Sequence, residues 1–147
     1  MLGIGSVHAT FTSPRSSLSN LSVNMSAIEG TAEYRLDGDD PWERVQQGMS
    51  FGEGAQLRTL GESRAALNFD DGSAVRLNSN SSVVLTKLAR RHVIIQNPSG
   101  DIYTRVAKSD NRKFQVHTDT ASYQATNVAY RTFYSDDKKG VETYYNQ

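Results

Sequence analysis

Between Leu57 and Leu77 apolar and polar residues alternate, break at an Asp-Gly pair, and alternate again. Ala65, Leu67 and Phe69 fall on one side of an extended segment and Ala66, Asn68 and Asp70 on the other, so one face is apolar and the other wet. Asp71-Gly72 is expected to supply the positive φ angles of a tight hairpin, and Val75 and Leu77 resume the pattern. Comparable short runs recur at a spacing of about ten residues, the rhythm of a sandwich, a barrel or a β-solenoid. They cover Ala27–Leu36, Trp42–Gln47, Ala55–Thr59, Ala65–Phe69, Ala74–Leu77 and Val83–Leu88. The series continues with His92–Gln96, Ile102–Ala107, Lys113–Thr118, Ser122–Ala125, Ala129–Ser135 and Val141–Tyr145. Only Val83–Arg90 hints at a helical apolar period, and its paired valines and Thr86 favour a strand there as well. The pattern predicts an all-β fold, a single domain of short antiparallel strands in a solenoid-like or rolled sheet or a sandwich.

Turn chemistry punctuates these runs at Asp37-Gly38, Gly52-Glu53-Gly54, Gly61-Glu62, Asp71-Gly72, Pro98-Ser99-Gly100 and Asp136 to Gly140. Structural roles are expected at Asp71, Gly72 and Gly100 from these turns, with Arg64 and Leu77 as strand positions around the central hairpin. Upstream, Thr10–Ser26 is rich in serine and asparagine with scattered apolar residues, the composition of a linker. This predicts a flexible or trimmed lead-in over residues 1–26 and a β domain over 27–147. Met1 to Ala9 is too short for a secretory signal and lacks its basic flank; the trimmed end of a signal or anchor, an expression scar and a native start are the alternatives, and a trimmed end is the preferred expectation.

Composition narrows the functional classes. A chain of 147 residues can bury a substantial core, and its 16 basic and 16 acidic residues balance without a long block of either sign. Nucleic-acid binding needs a basic surplus or stripe that displaces counterions from phosphates; Arg90-Arg91-His92, the densest basic cluster, reads as a solvated turn. Nucleic acid is excluded as a partner on this ground. The absence of cysteine removes disulfides, thiolate metal sites and a cysteine nucleophile, and leaves the compartment open. No run approaches the ~20 apolar residues of a membrane helix, so membrane attachment is expected only through segments outside this chain.

Candidate chemistry is sparse. No Gly-x-Ser-x-Gly presents a nucleophilic serine, and the histidines His8, His92 and His117 stand in unrelated contexts. His117 alternates with Phe114 and Val116, which predicts a wet strand face; with Asp119 it offers two metal ligands and no third. The acidic pairs Asp39-Asp40, Asp70-Asp71 and Asp136-Asp137 are adjacent rather than alternate, the arrangement of turns rather than calcium loops. Gly48, Gly52 and Gly54 are followed by neither the Lys-Ser/Thr pair nor the helix of a phosphate loop. No catalytic residue, metal site or cofactor is predicted. The aromatic residues say more. Adjacent aromatics on a strand point to opposite faces, so Tyr144-Tyr145 and Phe133-Tyr134 should each leave one ring outside a one-sided sheet. Trp42, Tyr130, Arg131, Tyr134, Tyr144 and Tyr145 are accordingly the candidate partner-binding residues, the alternative being that the rings cover the end of the sheet.

Read in order, the residues resemble a FecR-like domain. Ile28-Glu29-Gly30-Thr31-Ala32 is similar to the opening strand of that family, and Trp42 with Val45 to Gly48 to its next segment, so the resemblance implies structural roles for Gly30 and Gly48. Gly54-Ala55-Gln56-Leu57-Arg58-Thr59 resembles its Gly-x-x-Leu-x-Thr segment. The strongest likeness lies in Ser63 to Ser73 and Val75 to Ser81; Gly100 to Val106 and Phe114 to Thr118 match more loosely. Where the family usually has Val-x-Gly-Thr-x-Phe, this chain has Val128-Ala129-Tyr130-Arg131-Thr132-Phe133; Tyr130 and Arg131 replace the glycine and threonine, and the loss of a permissive glycine is expected to change the local turn or partner contact.

The resemblance implies an all-β module of the bacterial envelope, periplasmic or at the cell surface, that is not an enzyme and binds an envelope protein. Such domains relay a signal from an outer-membrane transporter to a sigma-factor regulator. A carbohydrate- or cell-wall-binding domain, stacking sugars on Trp42 and Tyr144, is the alternative. The composition carries no signal for oligomeric state.

Overall fold

A computed structural model describes residues 20–108, 112–119, 122–125, 128–134 and 139–145, with the backbone alone for Tyr123, Ala125, 128–134 and 139–145. Among the described residues thirteen strands succeed one another: β1 (Val23–Glu29), β2 (Ala32–Arg35), β3 (Glu43–Arg44), β4 (Ser50–Phe51), β5 (Gln56–Thr59), β6 (Arg64–Phe69) and β7 (Ala74–Leu77). The remainder are β8 (Ser82–Ala89), β9 (His92–Arg105), β10 (Lys113–His117), β11 (Ser122–Ala125), β12 (Val128–Tyr134) and β13 (Lys139–Tyr145).

One sheet has the order β3-β2-β5-β8-β9-β10-β11 and the other β4-β1-β6-β7-β9-β12-β13. The long β9 belongs to both. Its first half pairs with β8 and β10, its second half with β7 and β12. Among the described residues every pairing is antiparallel except β9 with β10. The sheets curl toward each other over one shared core, as the alternation requires: Val23, Met25, Leu67, Val75, Leu77 and Ile102 from one meet Leu57, Val83, Leu85, Val93, Ile95 and Phe114 from the other. Two aromatic pairs bridge the sheets, Phe69 with Phe114 (5.6 Å between ring centroids) and Tyr34 with Phe51 (5.3 Å). The all-β, rolled-sheet expectation agrees with this architecture.

Local readings change at four places. First, the chain expected to be a lead-in through Ser26 is part of the sheet from Asn20 onward: Leu21, Val23 and Met25 are buried, and β1 pairs with both β4 and β6. Serine and asparagine fill the outward positions there, so an amphipathic strand carries a linker-like composition. Residues 1–19 lie outside the described residues. Met25→Ala should therefore cost about 2–4 kcal/mol, as for other fully buried large side chains; urea denaturation measures it, and a loss below about 0.5 kcal/mol, typical of a surface site, would place Met25 outside the core.

Second, the hairpin turn is not the two-residue form. Phe69 N donates to Ser73 O (2.8 Å) and Gly72 N to Phe69 O (3.0 Å), closing a three-residue loop of Asp70, Asp71 and Gly72. Only Gly72 has positive φ (93°); Asp71 instead accepts a side-chain hydrogen bond from Ser73 N at 2.8 Å. Third, Pro98-Ser99-Gly100 does not turn. β9 runs through it and passes from one sheet to the other. Fourth, the helical hint in Val83–Arg90 comes from a register shift between Leu85 and Lys87, which resets the alternation so that Leu88 faces the core.

Candidate functional site

A second register shift builds the most developed concavity. Between Met25 and Ala27 the pairing of β1 with β6 slips, leaving Ser26 as the extra residue. Without the slip Ala27 would continue the core-facing alternation of Val23 and Met25. With it, Ala27 comes to the outer face directly opposite Ala66, while Ser26 Oγ donates to Ala66 O at 3.2 Å. The same row continues across the sheet, Ala66 opposite Arg76 and Arg76 opposite Tyr103. Two methyl groups surrounded by long side chains leave a pit of about 370 Å³, with Arg64 and Glu29 on one wall and Arg76 and Tyr103 on another. Asn78 at its rim is fixed by donating from Nδ2 to Asp101 Oδ2 at 2.6 Å.

The electrostatics of this pit differ from the rest of the surface. Arg58 is paired with Glu33 (2.6 Å), Arg90 with Asp70 (3.7 Å), Arg112 with Asp71, and Arg35 donates to Gln56 (2.8 Å). Arg64 and Arg76 form no ion pair or hydrogen bond among the described residues, although Glu29 stands opposite Arg64 in register. Arg44 and Arg91 are also unpaired there, but neither lines this pit. The pit thus holds two guanidinium groups against one carboxylate.

The other candidates fall apart spatially. Trp42 is half-buried on the opposite sheet, with the guanidiniums of Arg58 and Arg35 lying 4.1 and 4.3 Å from its ring centroid. Glu33 anchors Arg58 and Gln56 anchors Arg35, so the stack is fixed from within the chain. Tyr130, Arg131, Tyr134, Tyr144 and Tyr145 are on β12 and β13, and their side chains lie outside the described residues. Their backbone register is defined: Arg131 stands opposite Tyr103, Tyr130 opposite Thr104, Tyr134 opposite Gly100, Tyr144 opposite Ala129 and Tyr145 opposite Val128. Of these, Arg131 is next in the row that forms the pit.

Among the structural positions, Gly30 separates β1 from β2, Gly48 precedes β4, and Leu77 is buried beneath the pit. Arg64, expected only as a strand position, is a pit residue. The acidic turns hold themselves: Asp39 N and Asp40 N both donate to Asp37, while Asp70 receives Ser22 N. Asp136-Asp137 lies outside the described residues. His92 Nε2 and Gln115 Oε1 are 3.0 Å apart. His117, expected on a wet face, is half-buried beside Asn97, Pro98 and Asp119 in a cavity of about 200 Å³, and its Nε2 has no hydrogen-bond partner among the described residues. Among the described residues no three His, Cys, Asp or Glu side chains converge as metal ligands.

The pit escapes sequence reading because it needs the β1 slip. Ala66 and Arg76 do sit at outward positions of their strands, yet nothing local puts Ala27 beside them. Fold and surface together define an all-β domain of two curled sheets sharing a strand, with a cationic pit on one outer face. A family model described as FecR protein matches residues 55–146, from just before β5 to just beyond β13, and the chain belongs to that family. FecR proteins are signalling regulators. Comparison with curated proteins and with solved structures found no match. Strands β1–β4 precede the matched segment and complete both sheets.

Proposed function

We propose that this domain is a non-catalytic protein-interaction module of the bacterial envelope, exposed to the periplasm or cell surface, which relays a signal by binding a partner protein. The observation that carries the reading is FecR membership over residues 55–146. The geometry supports it. The pit is a concavity on the outer face of one sheet, and two of its arginines, Arg64 and Arg76, have no ion pair or hydrogen bond among the described residues. Sugar stacking on Trp42 loses its motive, because two guanidiniums already lie over that ring.

Chemical cross-linking in intact cells, read by mass spectrometry, tests the proposal. It predicts cross-links from this chain to one defined envelope protein, reproduced when the tag is moved. Cross-links to cytosolic proteins only, or to no protein above the background of an unrelated β domain, would overturn it.

A further inference from the structure

We infer that the pit over Ala27 and Ala66 receives an acidic side chain from an extended segment of the partner protein, with its carboxylate on Arg64 and Arg76. The inference deepens the interaction reading and rests on it. Three features point to this occupant. The Ala27–Ala66 pair leaves an apolar floor broad enough for the methylene stem of glutamate and part of a neighbouring side chain. Arg64 and Arg76 line the same pit from adjacent strands and have no partner among the described residues. An arginine fork matches the two oxygens of a carboxylate, and the charge strengthens each hydrogen bond.

Glu29 lines the same pit and offsets one of the two guanidiniums, leaving a net single positive charge that one carboxylate neutralises. Tyr103 and Asn78 also line the pit, and Asn78 is already committed to Asp101, which keeps its side chain in place. An extended segment suits the outer face because Arg64 and Arg76 lie on different register rows, so contact with both spans two strands.

Amide NMR spectra of the full chain, titrated with acetyl-Ser-Leu-Glu-Leu-Glu-Ser-amide and with its Gln-for-Glu counterpart, test the site. The acidic peptide should give saturable shifts at Ala27, Ala66, Arg76 and Tyr103. The neutral peptide, and the exposed double variant Arg64→Gln/Arg76→Gln, should each bind about tenfold more weakly, the loss expected for charge-assisted bonds in a half-open site. Equal binding of both peptides, undiminished binding by the double variant, or no shift up to millimolar peptide would overturn the assignment. Inorganic phosphate moving the same amides more strongly than the acidic peptide would overturn it in favour of a phosphate site. Cross-linking separates this failure from that of the broader proposal. A defined envelope protein cross-linked equally by wild type and double variant sinks the pit alone, whereas loss of that cross-link in wild type sinks the module.

Discussion

Gly100→Ala is expected to lower the free energy of unfolding by about 3 kcal/mol or more, the range of strained-backbone and overpacking substitutions combined. Gly100 has φ +87°, and a methyl group there would overlap the Ser81 backbone and lie 2.6 Å from Asn80 O. The neighbour cannot yield cheaply. Ser81 Oγ accepts from Asp101 N at 2.8 Å and Ser81 O accepts from Thr59 N at 2.9 Å, so Ser81 ties β9 to the end of β5. At this point β9 leaves one sheet for the other, and moving it disturbs both. Gly52→Ala is the matched control: its φ is ordinary and a methyl group there meets nothing within 4 Å. It should change stability by less than about 0.5 kcal/mol. Urea denaturation of the two variants decides the matter, and equal effects would remove the close approach as the cause.

Asp71→Asn is expected to cost about 3 kcal/mol, because it strands a buried cation. The Arg112 side chain is only 5 % exposed and is ion-paired with Asp71; burial lowers its pKa from the ordinary arginine value, the sign of a charge held against a desolvation cost. Arg112 also donates to Ala107 O at 2.9 Å, and Ala107 N donates to Ser73 Oγ at 2.9 Å. The chain after β9 is thereby fastened under the β6–β7 turn. If the penalty comes from an uncompensated charge, adding Arg112→Met should restore most of the loss, since an apolar side chain of similar length needs no partner. If the double variant is instead as unstable as the sum of the two single variants, the turn geometry rather than the ion pair carries the stability.

Much of the fold is legible in the chain because one-sided strands imprint their period directly. Leu57, Leu67, Val75, Leu77, Val83, Val93, Ile95, Phe114 and Val116 are all inward at the positions that alternation assigns. The failures share a physical origin in pairings that a local window does not contain. Val23 and Met25 alternate correctly, but serine and asparagine on the wet side make the segment resemble a linker. Pro98-Ser99-Gly100 carries turn residues, yet the neighbouring strands on both sides hold β9 extended through it. Asp71-Gly72 marks a turn whose type depends on the Phe69–Ser73 closure. The pit is the clearest case. It arises from a one-residue slip in β1 that sets Ala27 against Ala66, and no property of either alanine announces it. The family, by contrast, is legible from the residues of β5 to β7, which match it most closely.

Whether the domain binds an envelope protein is decided by passing a detergent-solubilised envelope fraction over the immobilised, folded chain, across a range of salt, and identifying what is retained by mass spectrometry. The expected result is one defined envelope protein, retained reversibly, saturably and more weakly as salt rises. Retention of no protein above an unrelated β domain, or of cell-wall fragments alone, would contradict the binding role.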